Sequence, residues 1–379
     1  MAIGATGNGT LVAGRDVTLA AVVNEVNISK QNDPGSKLYD KEIHQDQTVV
    51  GASVTAGGNL AVKAGDSGLG NLALAGSNLA GGAKVQLAAS GDVSITQVQE
   101  VHLSDLAHHD ESSSMFKKSS NTSADYSNVS KVVGSGVSGD SVTVKSDKDI
   151  VIRGSELSAT GALTLNAGRD LLVSSAQQTD SENYNEEHQR SGFSFNPASG
   201  ALGYSKSDEA KARDGDTVTQ VGSVLSGGSV SASSGRDTVI SGSTVVADKD
   251  IAIDAGRNLS IVSAENSSTG ASSTSSKKSG SLGTMFQPAV GTVKSATDGT
   301  NASVTQVGNQ VNLLAARNTA SQHTTNSSSS SIGIGFGIGG TSNGFTIDLA
   351  VSQARGKADG DDVGYTKHDV LSLIQSCIF

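Results

Sequence analysis

Four groupings in this 379-residue chain have residue types that could do chemistry. Gly340-Thr-Ser-Asn-Gly344 fits Gly-x-Ser-x-Gly, the pattern that sets a nucleophilic serine on a strained turn. That turn needs a buried strand before it and a helix after it. Here the pattern sits in a Ser/Gly tract between two hairpin-like runs, so it reads as a chance match. His108-His109-Asp110-Glu111 offers metal ligands, but adjacent histidines lack the i, i+4 spacing that brings two imidazoles to one helix face. It reads as a solvated loop. Arg15, Arg169, Arg236 and Arg257 each follow Gly and precede Asp or Asn. Calcium-binding nonapeptide repeats also use Gly-x-Asp, but every nine residues; here the spacing is about 20, so that chemistry is rejected and the arginines read as a surface ladder. Cys377 is the only cysteine, which leaves neither a disulfide framework nor a thiolate metal site. No catalytic, cofactor-binding or metal-ligating residue is assigned, and no cofactor is expected.

The elements that would have to position any site come from one block said three times. Asp149 to Val173 aligns without a gap on Asn71 to Ile95 and on Asp237 to Ile261. Ile150 matches Leu72 and Thr238, Ile152 matches Leu74 and Ile240, and Leu165 matches Leu87 and Ile253. Gly154-Ser155 recurs as Gly76-Ser77 and Gly242-Ser243. Such self-similarity marks a solenoid. The apolar residues come in pairs two apart, 150/152, 163/165 and 171/173, which is the period of a strand. Gly-Ser or Ala-Gly-Arg-Asp breaks the chain between these short runs. Ile150 to Leu171 is 21 positions, enough for one circuit of a wound sheet. One circuit cannot bury its own apolar row, whereas parallel circuits stacked about 4.8 Å apart can.

Composition agrees. Aromatics are 3%, Trp is absent, and 46 Gly stand against three Pro; a core one side chain deep needs Val, Ile, Leu and Ala rather than large rings. The net charge of −10, with no basic run, argues against a nucleic-acid surface. No apolar run approaches the roughly 20 residues of a membrane-spanning helix, and Met1 to Thr10 has no signal-peptide pattern.

The expected organisation is a partial coil at 1–22, a repeat β-helix over 23–320, and a Ser/Gly-rich hairpin insertion with an off-pattern tail at 321–379. The helix is interrupted by polar excursions at 24–47, 96–130, 175–216 and 264–302. Several excursions open on Ser-rich, disordered-looking stretches, such as Glu111-Ser-Ser-Ser-Met-Phe-Lys-Lys and Ser272-Ser-Thr-Ser-Ser-Lys-Lys. Three carry short alternating pairs: Gly192-Phe-Ser-Phe with Leu202-Gly-Tyr204, Leu282 to Phe286 with Val290 to Val293, and Ile332 to Ile338 with Phe345-Thr-Ile347. Long insertions from a solenoid usually sit on one face. They read either as tolerated loop decoration or as an adhesive comb.

Repeated Gly-Ser-x-Leu/Val, strand, Ala-Gly-Arg-Asp/Asn, strand, then a Ser/Lys-rich excursion leaving through Thr217-Val-Thr-Gln-Val-Gly-Ser223, resembles the haemagglutinin repeats of filamentous haemagglutinin. The same repeats occur in the large exoproteins of contact-dependent growth inhibition. The resemblance covers roughly residues 9 to 320. It implies an all-β, right-handed parallel β-helix, secreted to the bacterial cell surface through an outer-membrane two-partner secretion transporter. It also implies adhesion to a host or neighbouring bacterial cell, or presentation and delivery of a C-terminal toxin. The chain departs from that pattern in lacking the secretion domain and any toxin domain. The apolar tail Lys367 to Phe379 is off-pattern too, which reads as a fragment of a longer reading frame, with a terminal cap as the alternative. The second function class is a β-helix enzyme acting on polysaccharide. That would need paired carboxylates in one groove with an aromatic platform, and no such cluster recurs in the sequence.

Overall fold

In the computed structural model, which describes residues 1–35, 37–196, 201–281, 289–299, 311–314, 320–326, 329–341, 344–356 and 374–376, seven successive rungs each contribute one short strand to each of three parallel sheets. The rung holding Glu156–Ala159, Ala162–Ala167 and Leu171–Ser174 shows the pattern. Each strand pairs in parallel with its counterpart in the rung before and the rung after. The strands are short because Gly-rich corners follow every four to six residues.

The period-2 apolar pairs point inward and stack by register. Leu74, Ile95, Ile152, Val173, Ile240 and Ile261 form one column, and each is at most 3% exposed. Leu72, Val93, Ile150, Leu171, Thr238 and Leu259 form a second. Every member of the hydrophobic core cluster among the described residues lies on one of these coil strands. Burial of a full Leu or Ile side chain contributes about 1.5–3 kcal/mol, so the coil carries the folding free energy.

The excursions are long antiparallel hairpins, and each leaves after the third strand of a rung. They comprise Val22–Gln31 with Leu38–Val50, Val98–Ser113 with Lys117–Val133, Ala176–Asn196 with Ala201–Val221, and Asn266–Ser281 with Ala289–Gly299. They do not stand apart as the teeth of a comb. Neighbouring hairpins pair edge to edge and, with Ala320–Asn326, make one nine-stranded antiparallel sheet.

The Ser-rich stretches read as disordered run within these strands. Ser112 and Ser113 pair with Ser119 and Lys118, and Ser273 to Ser276 pair with Ala212 to Glu209. A strand flanked by two others satisfies its backbone polar groups without any apolar side chain. That explains how tracts too polar to build a core still form structure.

Spacing explains why the hairpins meet. A hairpin departs after every second rung. Two rungs advance the coil by about 9.6 Å, and a hairpin two strands wide also occupies about 9.6 Å. The two sheets therefore grow at the same pitch.

The two corner types alternate accordingly. Where the chain turns directly into the next rung, Gly76, Gly154 and Gly242 take φ of 57°, 52° and 53°. Where a hairpin returns, Gly134 faces a different demand: a Cβ there would lie 2.3 Å from the Gly154 carbonyl oxygen.

At the carboxyl side, Val311–Leu314 extends the third parallel sheet, and Ile374–Ser376 pairs with Val245–Ala247 in the first. Ser329–Thr341 and Gly344–Gly356 form a separate two-stranded pair.

Candidate interaction surface

Two polar ladders hold the corners of the coil. At the hairpin corner, Ser77, Ser135, Ser155, Ser223 and Ser243 are all at most 4% exposed. Each Oγ accepts the backbone N–H of the equivalent residue one rung earlier, as Ser155 Oγ does from Ser135 at 3.1 Å and Ser243 Oγ from Ser223 at 3.2 Å. Each also donates to a carbonyl at or just past the end of the third strand of the rung before, Ser135 to Thr96 at 2.7 Å and Ser155 to Arg153 at 2.8 Å. One buried hydroxyl thus satisfies two backbone groups that a sharp corner would strand.

At the Arg-Asp/Asn corner, the side-chain oxygens of Asp16, Asn71, Asp92, Asp149 and Asp170 each accept the backbone N–H of the Asx residue one rung on, at 2.8–3.2 Å. Three arginines clamp this column from outside. Arg169 donates Nε and Nη2 to Asp149 at 3.0 and 2.5 Å, Arg236 grips Asp170 and Arg257 grips Asp237 in the same two-pronged way. Hydrogen bonding from Arg257 lowers the Asp237 carboxyl to about 2, and Arg236 lowers that of Asp170. The sequence places Arg15 in the same motif, but no ion pair to it appears among the described residues. These groups stabilise corners.

The hairpin sheet differs. Among the described residues its side chains are exposed or intermediate on both faces, apart from Ala176 at its base, so it is a single layer wetted on two sides. Its cross-strand contacts are polar. One row crosses five strands: Asp40 with His108 at 2.5 Å, His108 with Asp110 at 3.4 Å, Asp110 with Asn121 at 3.0 Å, Asn121 with His188 at 2.8 Å, His188 with Glu186 at 2.7 Å, and Glu186 with Lys211 at 3.0 Å. A hydrogen bond to Asp40 raises the His108 pKa, and Lys211, then His188, lower that of Glu186.

The structure therefore separates the residues of His108-His109-Asp110-Glu111. They lie on a strand, not a loop, so His108 and Asp110 share one face while His109 and Glu111 take the other. His109 bonds Thr122 at 2.8 Å and Glu111 pairs with Lys118 at 3.0 Å. Among the described residues no group of three or more His, Cys, Asp or Glu is arranged to hold a metal ion. Gly340 and Gly344 pair at the end of the two-stranded element with Phe345 and Thr341. Ser342, Asn343 and Cys377 lie outside the described residues, as do Leu282 to Phe286. The expected pairing of Phe193 and Phe195 with Tyr204 and Leu202 is present.

Sequence reasoning missed the polar row across the sheet. It has no local motif, because its members come from five strands whose register is set by the coil. It also missed the every-second-rung rhythm. A signal for that was available: the triplicated block recurs at offsets of 78 and 88, each equal to two circuits plus one hairpin.

A family model for the hemagglutinin repeat matches residues 35–118, 111–280 and 289–373. The chain is 27% identical over 253 residues to tRNA nuclease CdiA-2 of Burkholderia pseudomallei (strain 1026b), covering 64% of this chain and 8% of that protein. It is 29% identical over 175 residues to 16S rRNA endonuclease CdiA of Enterobacter cloacae, covering 45% of this chain and 5% of that one. It is 33% identical over 140 residues to tRNA nuclease CdiA of Escherichia coli O6:K15:H31, covering 36% and 4%. The chain spans less than a tenth of the length of each of these relatives. No solved structure matches it.

Proposed function

The chain belongs to the hemagglutinin-repeat family, and from that premise we propose that it is a structural segment of a large secreted bacterial surface exoprotein, serving adhesion or the presentation and delivery of a C-terminal toxin in contact-dependent growth inhibition. The observation that carries this reading is the division of labour between coil and hairpins. Among the described residues the apolar core is confined to the coil, while a wide two-sided polar sheet grows beside it with no core of its own. A scaffold that needs only stability has no use for that sheet. A surface that makes many weak contacts does, because repeated sites along a rod gain avidity without one strong site.

In this reading the segment is not itself an enzyme. On the same reading, the nuclease activity in the relatives' names resides outside the stretch matched here. The division into a coil over 1–22, a repeat helix with four insertions over 23–320 and a hairpin with tail over 321–379 is carried forward as part of the proposal. The partners are the surface of a host or neighbouring bacterial cell and, for the parent protein, an outer-membrane two-partner secretion transporter. The corresponding location is secreted or at the bacterial cell surface.

The test is binding of the purified chain to bacterial and host cells, compared with a variant whose second and third hairpins are cut back to tight turns at 98/133 and 176/221. Expected is cell binding that falls at least tenfold while the circular dichroism of the coil persists. Equal binding by the trimmed chain, or polysaccharide cleavage abolished by a single carboxylate change, would count against the reading.

A further inference from the structure

The nine-stranded sheet has three seams where one hairpin meets the next: Leu38–Val50 beside Val98–Ser113, Lys117–Val133 beside Ala176–Asn196, and Ala201–Val221 beside Asn266–Ser281. The two strands of a seam are linked through the coil and not by a turn, so only the backbone ladder and the side chains hold them together. Three histidines reach across the first two seams, all on one face of the sheet. At the first seam, His102 Nδ1 meets Asp46, and His108 Nδ1 meets Asp40 at 2.5 Å. At the second, His188 Nδ1 meets Asn121 Oδ1 at 2.8 Å. The other ring nitrogen of each faces a carboxylate: His102 Nε2 lies 3.7 Å from Glu100, His108 Nε2 3.4 Å from Asp110, and His188 Nε2 2.7 Å from Glu186. Asn121 presents its oxygen to His188 because its Nδ2 donates to both carboxylate oxygens of Asp110, at 3.0 and 3.1 Å. A neutral imidazole has one N–H and a protonated one has two, so only the protonated ring donates on both sides.

The charges around each ring come from every neighbouring strand. Beside His108 on its face, register adds Glu42 and Asp125, both opposite Leu106, and Lys30 pairs with Glu42. Beside His102 it adds His44 on the facing strand and Lys131 opposite Glu100. Around His188 stand Arg190 on its own strand, Glu209 opposite on the next, and Lys211 bound to Glu186. The third seam is built differently. There Thr217 meets Ser268 at 3.1 Å and Asn266 accepts the Gln220 N–H at 2.6 Å, and Asn266–Ser281 contains no His, Asp or Glu. His44 and His109 have partners within their own hairpins, Glu42 and Thr122.

We propose that neighbouring hairpins are fastened by proton-dependent clasps, two at the first seam and one at the second, which close as the medium acidifies and release as its pH rises. All three rings are partly open to the medium, as a sensor requires. His102 and His108 are six residues apart, about 20 Å along a strand, so they hold both ends of a ladder of nine paired residues. At His108, hydrogen bonding to Asp40 raises the pKa above the ordinary 6.5. Its contribution is therefore complete below 6.5 and is lost as pH rises through the higher folded value. A released seam bares two rows of backbone N–H and C=O groups, so acidity decides whether the sheet presents a closed surface or open strand edges. The proposal goes beyond the surface reading and stands apart from it, since it concerns how the hairpins hold together and not what they touch.

The test is amide hydrogen exchange of the whole chain at pH 5.5 and pH 8, corrected for intrinsic rates. Exposed charge pairs are individually weak, so a loss of protection of about threefold is expected beside each clasp at pH 8, with the third seam unchanged. His102→Gln with His108→Gln should erase the pH difference at the first seam and keep it at the second, and His188→Gln should do the reverse. His109→Gln, on the same strand but bonded within its own hairpin, should alter neither. The circular dichroism of every variant should match the parent's. Equal protection at both pH values in the first two seams, an equal loss at the third, or a pH difference that survives the histidine changes would each overturn the proposal.

Discussion

The coil and the hairpin sheet are built from strands at the same spacing, yet opposite means hold them. In the coil, Leu165 is fully buried between Val144 below and Ala232 above; water is absent, and side-chain volume decides. In the hairpin sheet, Leu103 lies between Gln45 and Asn128 and keeps part of its surface in water; there the backbone ladder and polar pairs decide. The difference teaches that a strand needs a core only if nothing else holds its partners in place. The hairpins are held at their feet by a coil whose pitch matches theirs, so their own side chains are free for other uses.

The largest expected effect is on the coil side. Leu165→Asp would bury an unpaired charge between rungs and should cost about 4 kcal/mol or more, seen as a collapse of the urea midpoint followed by circular dichroism. A midpoint within experimental error of the parent's would break the comparison at its root. Next is Gly154→Ala. The backbone there has φ of 52°, and the new Cβ would meet the Ala176 Cβ at 2.6 Å; a cost of about 2 kcal/mol or more is expected in the same assay. Ser155→Ala leaves the Ser135 N–H with no acceptor in a buried corner, for about 1–2 kcal/mol. Leu103→Asp, the hairpin counterpart of the first change, should cost less than about 1 kcal/mol. If it cost as much as Leu165→Asp, the sheet would have a hidden dry face.

The smallest effects are those of pH, and they run in opposite directions in the two regions. The Asp237 carboxyl is held down at about 2 by Arg257 against an ordinary 3.8. Its stabilising contribution is therefore present above about pH 4 and is lost as pH falls toward 2. Arg257→Gln should lower the thermal midpoint slightly at neutral pH, and the gap from the parent should close on acidification through that window. His108 is shifted upward, chiefly by Asp40. Its contribution is present below its ordinary value of 6.5 and is lost as pH rises through the higher folded value. Amide exchange in the strands around Asp40 and His108 should accordingly be slower at pH 5.5 than at pH 8, after correction for intrinsic rates. Asp40→Asn should remove that difference.

Much of the coil was legible in the sequence because its rules are local. The pairs 150/152 and 163/165 give the strands, Gly154-Ser155 and Gly168-Arg169-Asp170 give the corners, and 21 positions give the circuit. The jobs of the corner residues were only half legible. That Arg169 sits at a surface corner can be read along the chain; that it grips Asp149, one rung away, cannot, because the partner is set by stacking. The hairpin sheet was the least legible. Ser112 and Ser113 look like linker until one sees that Ser119 and Lys118 lie across from them. The stagger of the hairpins, the second ending beside Gly192 and the third reaching Asn196, is a difference in length that no motif announces.

The alternation of corners also bears on how such a chain can change length over generations. Direct corners with a left-handed glycine and hairpin corners take turns, so the heritable unit is two rungs with one hairpin, not one rung. Recombination that copies or deletes a whole unit preserves the apolar columns, the serine and Asx ladders and the side-by-side fit of the hairpins together. Loss of a single rung would preserve the columns but bring two hairpins to within about 4.8 Å of each other at their feet, where two strands' width is required. Selection on the accessory sheet would then be visible as a parity rule in the gene: rung numbers between hairpins that stay even while hairpin lengths vary freely.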